Sequence, residues 1–301
     1  MSTTFTMSTG WSCYIIILVF TNIALITWLL GWTRKMDGAD SAEDGTTGHS
    51  YDGITEYNNP LPRWWLYLFY GTIVFALGYL ALYPGLGAYK GILGWSSHGE
   101  QEADQRAYEQ QYGPLYASFY QKPIEQLARD QHAMQIGNRL FENNCAACHG
   151  SDAHGARGFP NLTDDDWLHG GKPADIETTI MEGREGMMPA WGDKLGDDGV
   201  KKVVTYVLSL SGRKVDAKLA AAGQPLFTNC MPCHGQDAKG NVFIGAPNLT
   251  DTIWLYGGDE ATVIKTVTGG RHGHMPVWKD TLGKERVHLL AAYVWSLSHP
   301  N

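Results

Sequence analysis

Residues 145–150 read CAACHG and residues 230–235 read CMPCHG. The same order of residue types returns downstream of each. PNLTDDDWLHGG at 160–171 answers PNLTDTIWLYGG at 247–258, and GREGMMPAW at 183–191 answers GRHGHMPVW at 270–278. Each copy closes on an amphipathic helical run, ending YVLSLS at 206–211 and YVWSLS at 293–298. Asn161 and Asn248, Met188 and Met275, and Tyr206 and Tyr293 all stand 87 positions apart, whereas the two cysteine motifs stand 85 apart. The second copy therefore carries two extra residues between its His and its Pro-Asn-Leu. A duplicated unit explains this pattern, and internal repeats are read before the motifs inside them.

Each unit of about 85 residues has a helix leading into the cysteines, another at its end, and Gly- and Pro-rich connections between them. That is little secondary structure for a packed core, and domains this small often need a staple. C-x-x-C-H is the attachment signature of c-type haem. The thiols of Cys145 and Cys148, and of Cys230 and Cys233, would add across the porphyrin vinyl groups, with His149 and His234 aimed at iron. Zinc ribbons also use C-x-x-C pairs, separated by roughly 15–20 residues; here Cys148 and Cys230 are 82 apart. Redox disulfides explain neither the His nor the repeat. Two covalently bound c-type haems are the expected cofactors.

Haem iron takes a sixth ligand, and Met opposite His raises the reduction potential because an uncharged thioether favours ferrous over ferric iron. Met188 and Met275 hold equivalent places, each followed by Pro and, three residues on, by Trp. Met187 aligns with His274, so Met188 is the better choice. Whether each Met serves the haem of its own copy or of the other stays open. Arg184 and Arg271 suit haem propionates, since guanidinium matches carboxylate geometry; solvated surface positions are the alternative. Trp191 and Trp278 wall the pocket or simply fill core. His154, His169, His272, His274 and His288 have no His at the matching position and read as surface or core residues.

Two other stretches are apolar and uncharged, residues 11–32 and 64–83. About 20 helical residues span the ~30 Å hydrocarbon core, and both stretches end in Trp or Tyr, which favour the headgroup level. No Lys or Arg precedes the first, so it reads as a retained helix and not a cleaved signal. Arg34, Lys35 and Arg63 place the loop 33–63 on the cytoplasmic side and everything after Tyr83 outside. The loop is rich in Gly, Asp, Glu, Ser and Thr and is expected to be mobile. Residues 96–131 read as a tether, helical around 100–112 and broken at Gly113-Pro114 and at Pro123. Cys13 reads as a packed apolar side chain. The net charge of −8, with no basic tract, gives no reason to expect a nucleic-acid partner.

DGITEYNNPLPRWW (52–65), YPGLG (83–87) and LGWSS (93–97), joined to the tandem motifs, resemble the membrane-anchored dihaem subunits (CcoP, also called FixP) of cbb(3)-type cytochrome c oxidases. The resemblance runs from about residue 50 to the end; the helix at 11–32 is a departure, since many relatives have only the second span. Together with the two spans and the repeat read above, it gives the expected architecture, an all-α chain of two transmembrane helices followed by two tandem class I cytochrome c-like domains: an anchor at 1–95, the tether at 96–131, and haem domains at 132–213 and 214–301. By likeness to class I cytochromes c, the carbonyls of Pro160 and Pro247 would hold the two ligating histidines. The implied setting is the bacterial inner membrane, in contact with lipid, with the haem domains in the periplasm. Electrons would arrive from a donor cytochrome c and leave to a monohaem cytochrome c subunit and then the haem–copper catalytic subunit. The spans hold no His cluster for haem b or copper, so the chain is expected to carry electrons without reducing oxygen. A free-standing dihaem shuttle is the alternative; a dihaem peroxidase is disfavoured because two Met ligands leave no open iron position.

Overall fold

The computed structural model describes residues 7–34, 45–57 and 61–299. Lys35, on which the expected orientation partly rests, and residues 58–60 of the resembling stretch lie outside them. The chain forms two compact units, Met1–Tyr108 and Glu109–Asn301.

In the first unit, α1 (Thr9–Thr33) and α2 (Arg63–Leu82) are long and apolar enough to cross a membrane, and both are almost unburied within the chain. Polar side chains on α1 return to its own carbonyls: Asn22 donates to Leu18, Thr27 to Ile23 and Thr33 to Leu29. Such bonds satisfy the polar groups within the helix itself and so let these residues sit in an apolar helix. The Ser12 hydroxyl accepts the Ala88 N–H at 3.1 Å, tying α1 to the segment after α2. Cys13, expected to be packed, is exposed on α1.

The loop expected to be mobile holds a hairpin, β1 (Thr46–Tyr51) with β2 (Ile54–Tyr57). Asp52 and Gly53 both have positive φ, 50° and 81°, the geometry of the Asp-Gly turn that best matches strand twist. α3 (Ser97–Tyr120) continues through Pro114 instead of breaking there. One lost helix bond is outweighed where Tyr116 and Phe119 are buried. The end of the supposed tether is thus core, as is α4 (Ile124–Leu127), whose Ile124 and Leu127 are buried.

Next come α5 (Gln131–Asn144), α6 (Ala146–His149), α7 (Pro173–Glu182), β3 (Arg184–Met188) and α8 (Gly192–Leu210), the last interrupted at Gly196. The second copy supplies α9 (Ala217–Gly223), a 3-10 turn (Gln224–Asn229), α10 (Met231–His234), α11 (Glu260–Gly269), β4 (Arg271–Met275), α12 (Lys279–Leu282) and α13 (Lys284–Ser298). Asp130, Asp216 and Asp259 accept backbone N–H groups at the starts of α5, α9 and α11, the usual N-cap arrangement.

Packing crosses the boundary between the copies. α13 lies on α4, α5 and α7, while α8 lies on α9, the 3-10 turn and α11. A Cβ on Gly137 would come 2.8 Å from Cβ of Tyr293, whose ring lies 5.5 Å from that of Phe141. In the other module Gly223 abuts the Lys202 backbone, and Tyr206 lies 5.5 Å from Phe227. Each leading helix is therefore clamped by the closing helix of the other copy. The first module joins α4–α7 to α12 and α13; the second is the continuous run α8–α11. Between them β3 and β4 pair antiparallel, Arg184 opposite Met275 and Met188 opposite Arg271. Gly183 and Gly270, at φ 68° and 71°, open the strands where a side chain would strike the backbone of Met275 and of Met188. These ribbons correct the all-α expectation: the chain is mostly helical, with two short antiparallel pairs.

Val200, Val203, Val204 and Val207 of α8 form the second core with Phe227, Val263 and Val267. Phe227 is 1% exposed, so Phe227→Ala should cost about 3–5 kcal/mol. A fall in the denaturant midpoint monitors this; an unchanged midpoint would contradict the packing.

Candidate functional site

Cys145, Cys148 and His149 occupy positions i, i+3 and i+4, which share one face of a helical turn. The Cys145 N–H donates to the Phe141 carbonyl at 2.7 Å, so the motif hangs from the end of α5, and the His149 N–H donates to the Cys145 carbonyl at 3.0 Å. Cys230 and His234 repeat these bonds at 2.8 and 2.9 Å. Two thiols and an imidazole thus face one way in each module.

The imidazoles are held from behind. His149 Nδ1 donates to the Pro160 carbonyl at 3.1 Å, and His234 Nδ1 to the Pro247 carbonyl at 3.0 Å. A proton fixed on Nδ1 leaves the Nε2 lone pair for a metal. Burial pushes both histidines below their ordinary pKa, partly opposed by the carbonyl bonds, so the rings are held in the neutral, ligating form. Burial, with Cys148 alongside, pushes the Cys145 thiol up to about 11, and Cys230 is raised for the same reasons.

The loop that carries each Pro is fixed by a glycine. Gly155 and Gly240 donate to the His149 and His234 carbonyls at 2.8 and 2.9 Å. Both have positive φ, and a Cβ on either would collide with the carbonyl oxygen of Phe159 or Ala246. The two extra residues of the second copy widen the turn closed by Asn241 and Ala246, where the first copy closes Ala156 on Phe159. The Pro carbonyl arrives at the same place in both.

Met188 ends β3 and packs against the second core together with Cys230 and Trp191. Met187, its neighbour, is 78% exposed. The Trp191 N–H donates to Val267 at 2.9 Å, so the chain after Met188 is bonded into the second module. Met275 ends β4 beside Gly183, and the Trp278 N–H donates to Ile180 at 3.2 Å in the first module. Arg184 Nε donates to Thr179 at 2.9 Å; Arg271 Nε and Nη2 donate to Thr266, with the guanidinium 4.4 Å from the Tyr256 ring centroid.

The unmatched histidines fall into the two expected classes. His154, His272 and His274 are exposed, the last two beside Glu185. His288 is buried, its ring nitrogens bonded to Glu177 and to the Lys122 carbonyl. His169 is half-buried, and its Nδ1 has no partner among the described residues. Trp254 was not singled out by the sequence reading, although Trp167 matches it at the repeat offset. Its buried Nε1 also lacks a partner among the described residues. A group bearing acceptors, set among thiols, imidazole and thioether, fits this environment as haem does.

Small helical modules opening on a Cys-x-x-Cys-His turn, the His neutral and held by a carbonyl, define a c-type cytochrome. A family model described as "Cytochrome C oxidase, cbb3-type, subunit III" matches residues 132–207 and 218–294, and one described as "N-terminal domain of cytochrome oxidase-cbb3, FixP" matches 43–90. "Cbb3-type cytochrome c oxidase subunit CcoP" of Rubrivivax gelatinosus is 48% identical over 97% of this chain and 96% of its own. The CcoP subunit of Cereibacter sphaeroides is 44% identical over 85% and 95%, and the FixP subunit of Bradyrhizobium sp. (strain ORS 278) 44% over 84% and 94%. The chain belongs to the CcoP/FixP family of cbb3-type cytochrome c oxidase subunits, with covalently bound haem c and an electron-transfer role in that oxidase.

Gly240→Val should displace the Pro247 carbonyl from His234. Haem per polypeptide, measured by haemochrome absorbance, is expected to fall; full loading would show that this loop does not set the site.

Proposed function

We propose that the chain carries two c-type haems and passes single electrons between them, from a donor cytochrome c towards the monohaem cytochrome c subunit and the haem–copper catalytic subunit. The observation that carries this reading is the doubled arrangement: each module has its own Cys-x-x-Cys-His turn, its own carbonyl-held imidazole and its own methionine. When bound, haem iron supplies reversible one-electron chemistry. The residues hold it in place. Cys145 and Cys148 anchor one macrocycle and Cys230 and Cys233 the other, while Pro160 and Pro247 fix the two histidines.

The ligand pairing we favour is crossed, His149 with Met275 and His234 with Met188. It is supported by Met188 packing beside Cys230 and by the bonds that seat Trp191 in the second module and Trp278 in the first. Trp191 and Trp278 would wall the second and first pockets. Arg184 stands opposite Met275 and Arg271 opposite Met188, so the ribbon offers one Met and one Arg to each haem. In this reading α1 and α2 span the bacterial inner membrane, with the loop 33–63 cytoplasmic and the haem modules periplasmic. Arg34 and Arg63, next to the spans, support that orientation.

The purified chain should give two haems per polypeptide by haemochrome assay and, solubilised gently, migrate with a haem–copper subunit on a native gel. A lone monomer would favour a free-standing shuttle. The pairing is tested in a chain whose first motif is removed (Cys145→Ala with Cys148→Ala). Adding Met188→Ala should lower the potential of the remaining haem, because thioether ligation favours ferrous iron, while adding Met275→Ala should leave it. The reverse result would mean that each methionine serves its own copy.

A further inference from the structure

His272 and His274 have no His at the matching positions of the first copy. They alternate along β4, and residues two apart on a strand share a face. That face is the exposed one, away from the half-buried Met188 and Met275. Pairing with β3 sets Glu185 across from His274 and Met187 across from His272. At the repeat offset the two histidines stand where the first copy has Glu185 and Met187. The ribbon thus gathers two imidazoles, a carboxylate and a thioether on one exposed patch. A single carboxylate already meets both rings: Glu185 Oε1 lies 2.6 Å from His272 Nε2, and its Oε2 lies 3.4 Å from His274 Nδ1. Exposed pairs of this kind contribute little to stability, so holding the ribbon together does not account for the cluster.

We propose that His272, His274 and Glu185 form a surface site for one divalent cation of the zinc or copper class. Imidazole suits both ions, and zinc also takes carboxylate oxygen. Three protein donors leave a fourth position to water on this exposed face. A hard cation such as Mg2+ or Ca2+ needs more oxygens than one carboxylate supplies. Among the described residues no three His, Cys, Asp or Glu side chains are spaced to hold a metal ion as they stand; here Glu185 closes directly onto His272. Donors about 2.0–2.1 Å from a tetrahedral zinc are about 3.3–3.4 Å from each other. The His274–Glu185 separation has that value already, and the His272–Glu185 separation would widen by about 0.7 Å. All three side chains are exposed, so rotamer changes supply this without repacking. The backbone beneath stays as it is, its register held by Gly183, Gly270 and the bonds of Trp191 and Trp278. The bound cation ties β3 to β4 across the exposed face, and the site does not depend on how the haems are ligated.

The test titrates the untagged, haem-loaded full chain, with its haems oxidised, by isothermal titration calorimetry. ZnCl2 and CuSO4 are the probes and MgCl2 is the hard-cation control. One equivalent of Zn2+ or Cu2+ should bind, with the haem absorption spectrum unchanged, and Mg2+ should not bind. Changes outside a ligand shell already cost about 10–100-fold in metal affinity, so His272→Gln and His274→Gln should each weaken binding by at least about tenfold. Glu185→Gln should weaken it as well. His154→Gln, at an exposed histidine outside the ribbon, should bind as the unaltered chain does. Failure of both Zn2+ and Cu2+ to bind would overturn the site, as would undiminished binding in either ribbon His variant. An equal loss in His154→Gln, or Mg2+ binding as tight as that of zinc, would overturn it too, since either result reports unspecific attraction alone.

Discussion

Antiparallel pairing of residues 184–188 with 271–275 determines which helix closes which module. β3 leaves the first module and delivers Met188 and α8 to the second; β4 returns, delivering Met275 and α13 to the first. A two-stranded ribbon is marginal alone, and its ends are held by the Trp191–Val267 and Trp278–Ile180 bonds. Exchange makes the modules interdependent. α5 cannot meet α13 until residues 189–270 have been threaded between them, yet the thermodynamic cost is modest, because each doubling of a closed loop adds only about 0.6 kcal/mol. The kinetic cost is larger, since contacts distant in sequence form late.

Interdependence suits electron transfer, which needs separations that do not drift. Besides the ribbon, the Gly158 N–H donates to the Leu255 carbonyl at 2.8 Å, and Arg157 donates to the Thr262 hydroxyl at 3.2 Å. These bonds join the loop before Pro160 to the segment after Pro247, close to the carbonyls that hold both histidines. The backbone around the two sites is nearly equivalent. The differences are in side chains: His169 stands where the second copy has Tyr256, and Ala156-Arg157 where it has Asn241-Val242 followed by the exposed Phe243. Two like sites can thus differ in charge and solvation while keeping one geometry.

Much of this was legible in the residues. C-x-x-C-H is a local pattern, and a helical turn converts it directly into a shared face; the repeat then favours Met188 over Met187 as the proposed ligand. The hairpin at 46–57 has its signal in Tyr51-Asp52-Gly53-Ile54, set in a stretch whose overall composition is that of a loop. Continuation of α3 through Pro114 was not legible, because it depends on burial of Tyr116 and Phe119, a tertiary effect that overrides local propensity. The exchange of closing helices was hidden for a related reason. Duplicated sequences present identical faces, so Tyr206 and Tyr293 suit either leading helix, and only the path of the connecting strands decides between them.

That path also decides which methionine faces inward. Strand side chains alternate with period two, so a one-residue slip in register turns every side chain over. In β3 and β4 the first, third and fifth residues are half-buried and the second and fourth exposed. A slip would turn Met187 and His274 inward and Met188 and Met275 out, so that under the proposed ligation an imidazole would stand where one of the thioethers does. Opposing this are the glycines that fix where each strand begins, Gly183 against the Met275 backbone and Gly270 against that of Met188. Glu185 also bonds His272 at 2.6 Å across the exposed face. The proposed ligand set would therefore be selected by backbone contacts at the strand ends as much as by the identity of the methionines.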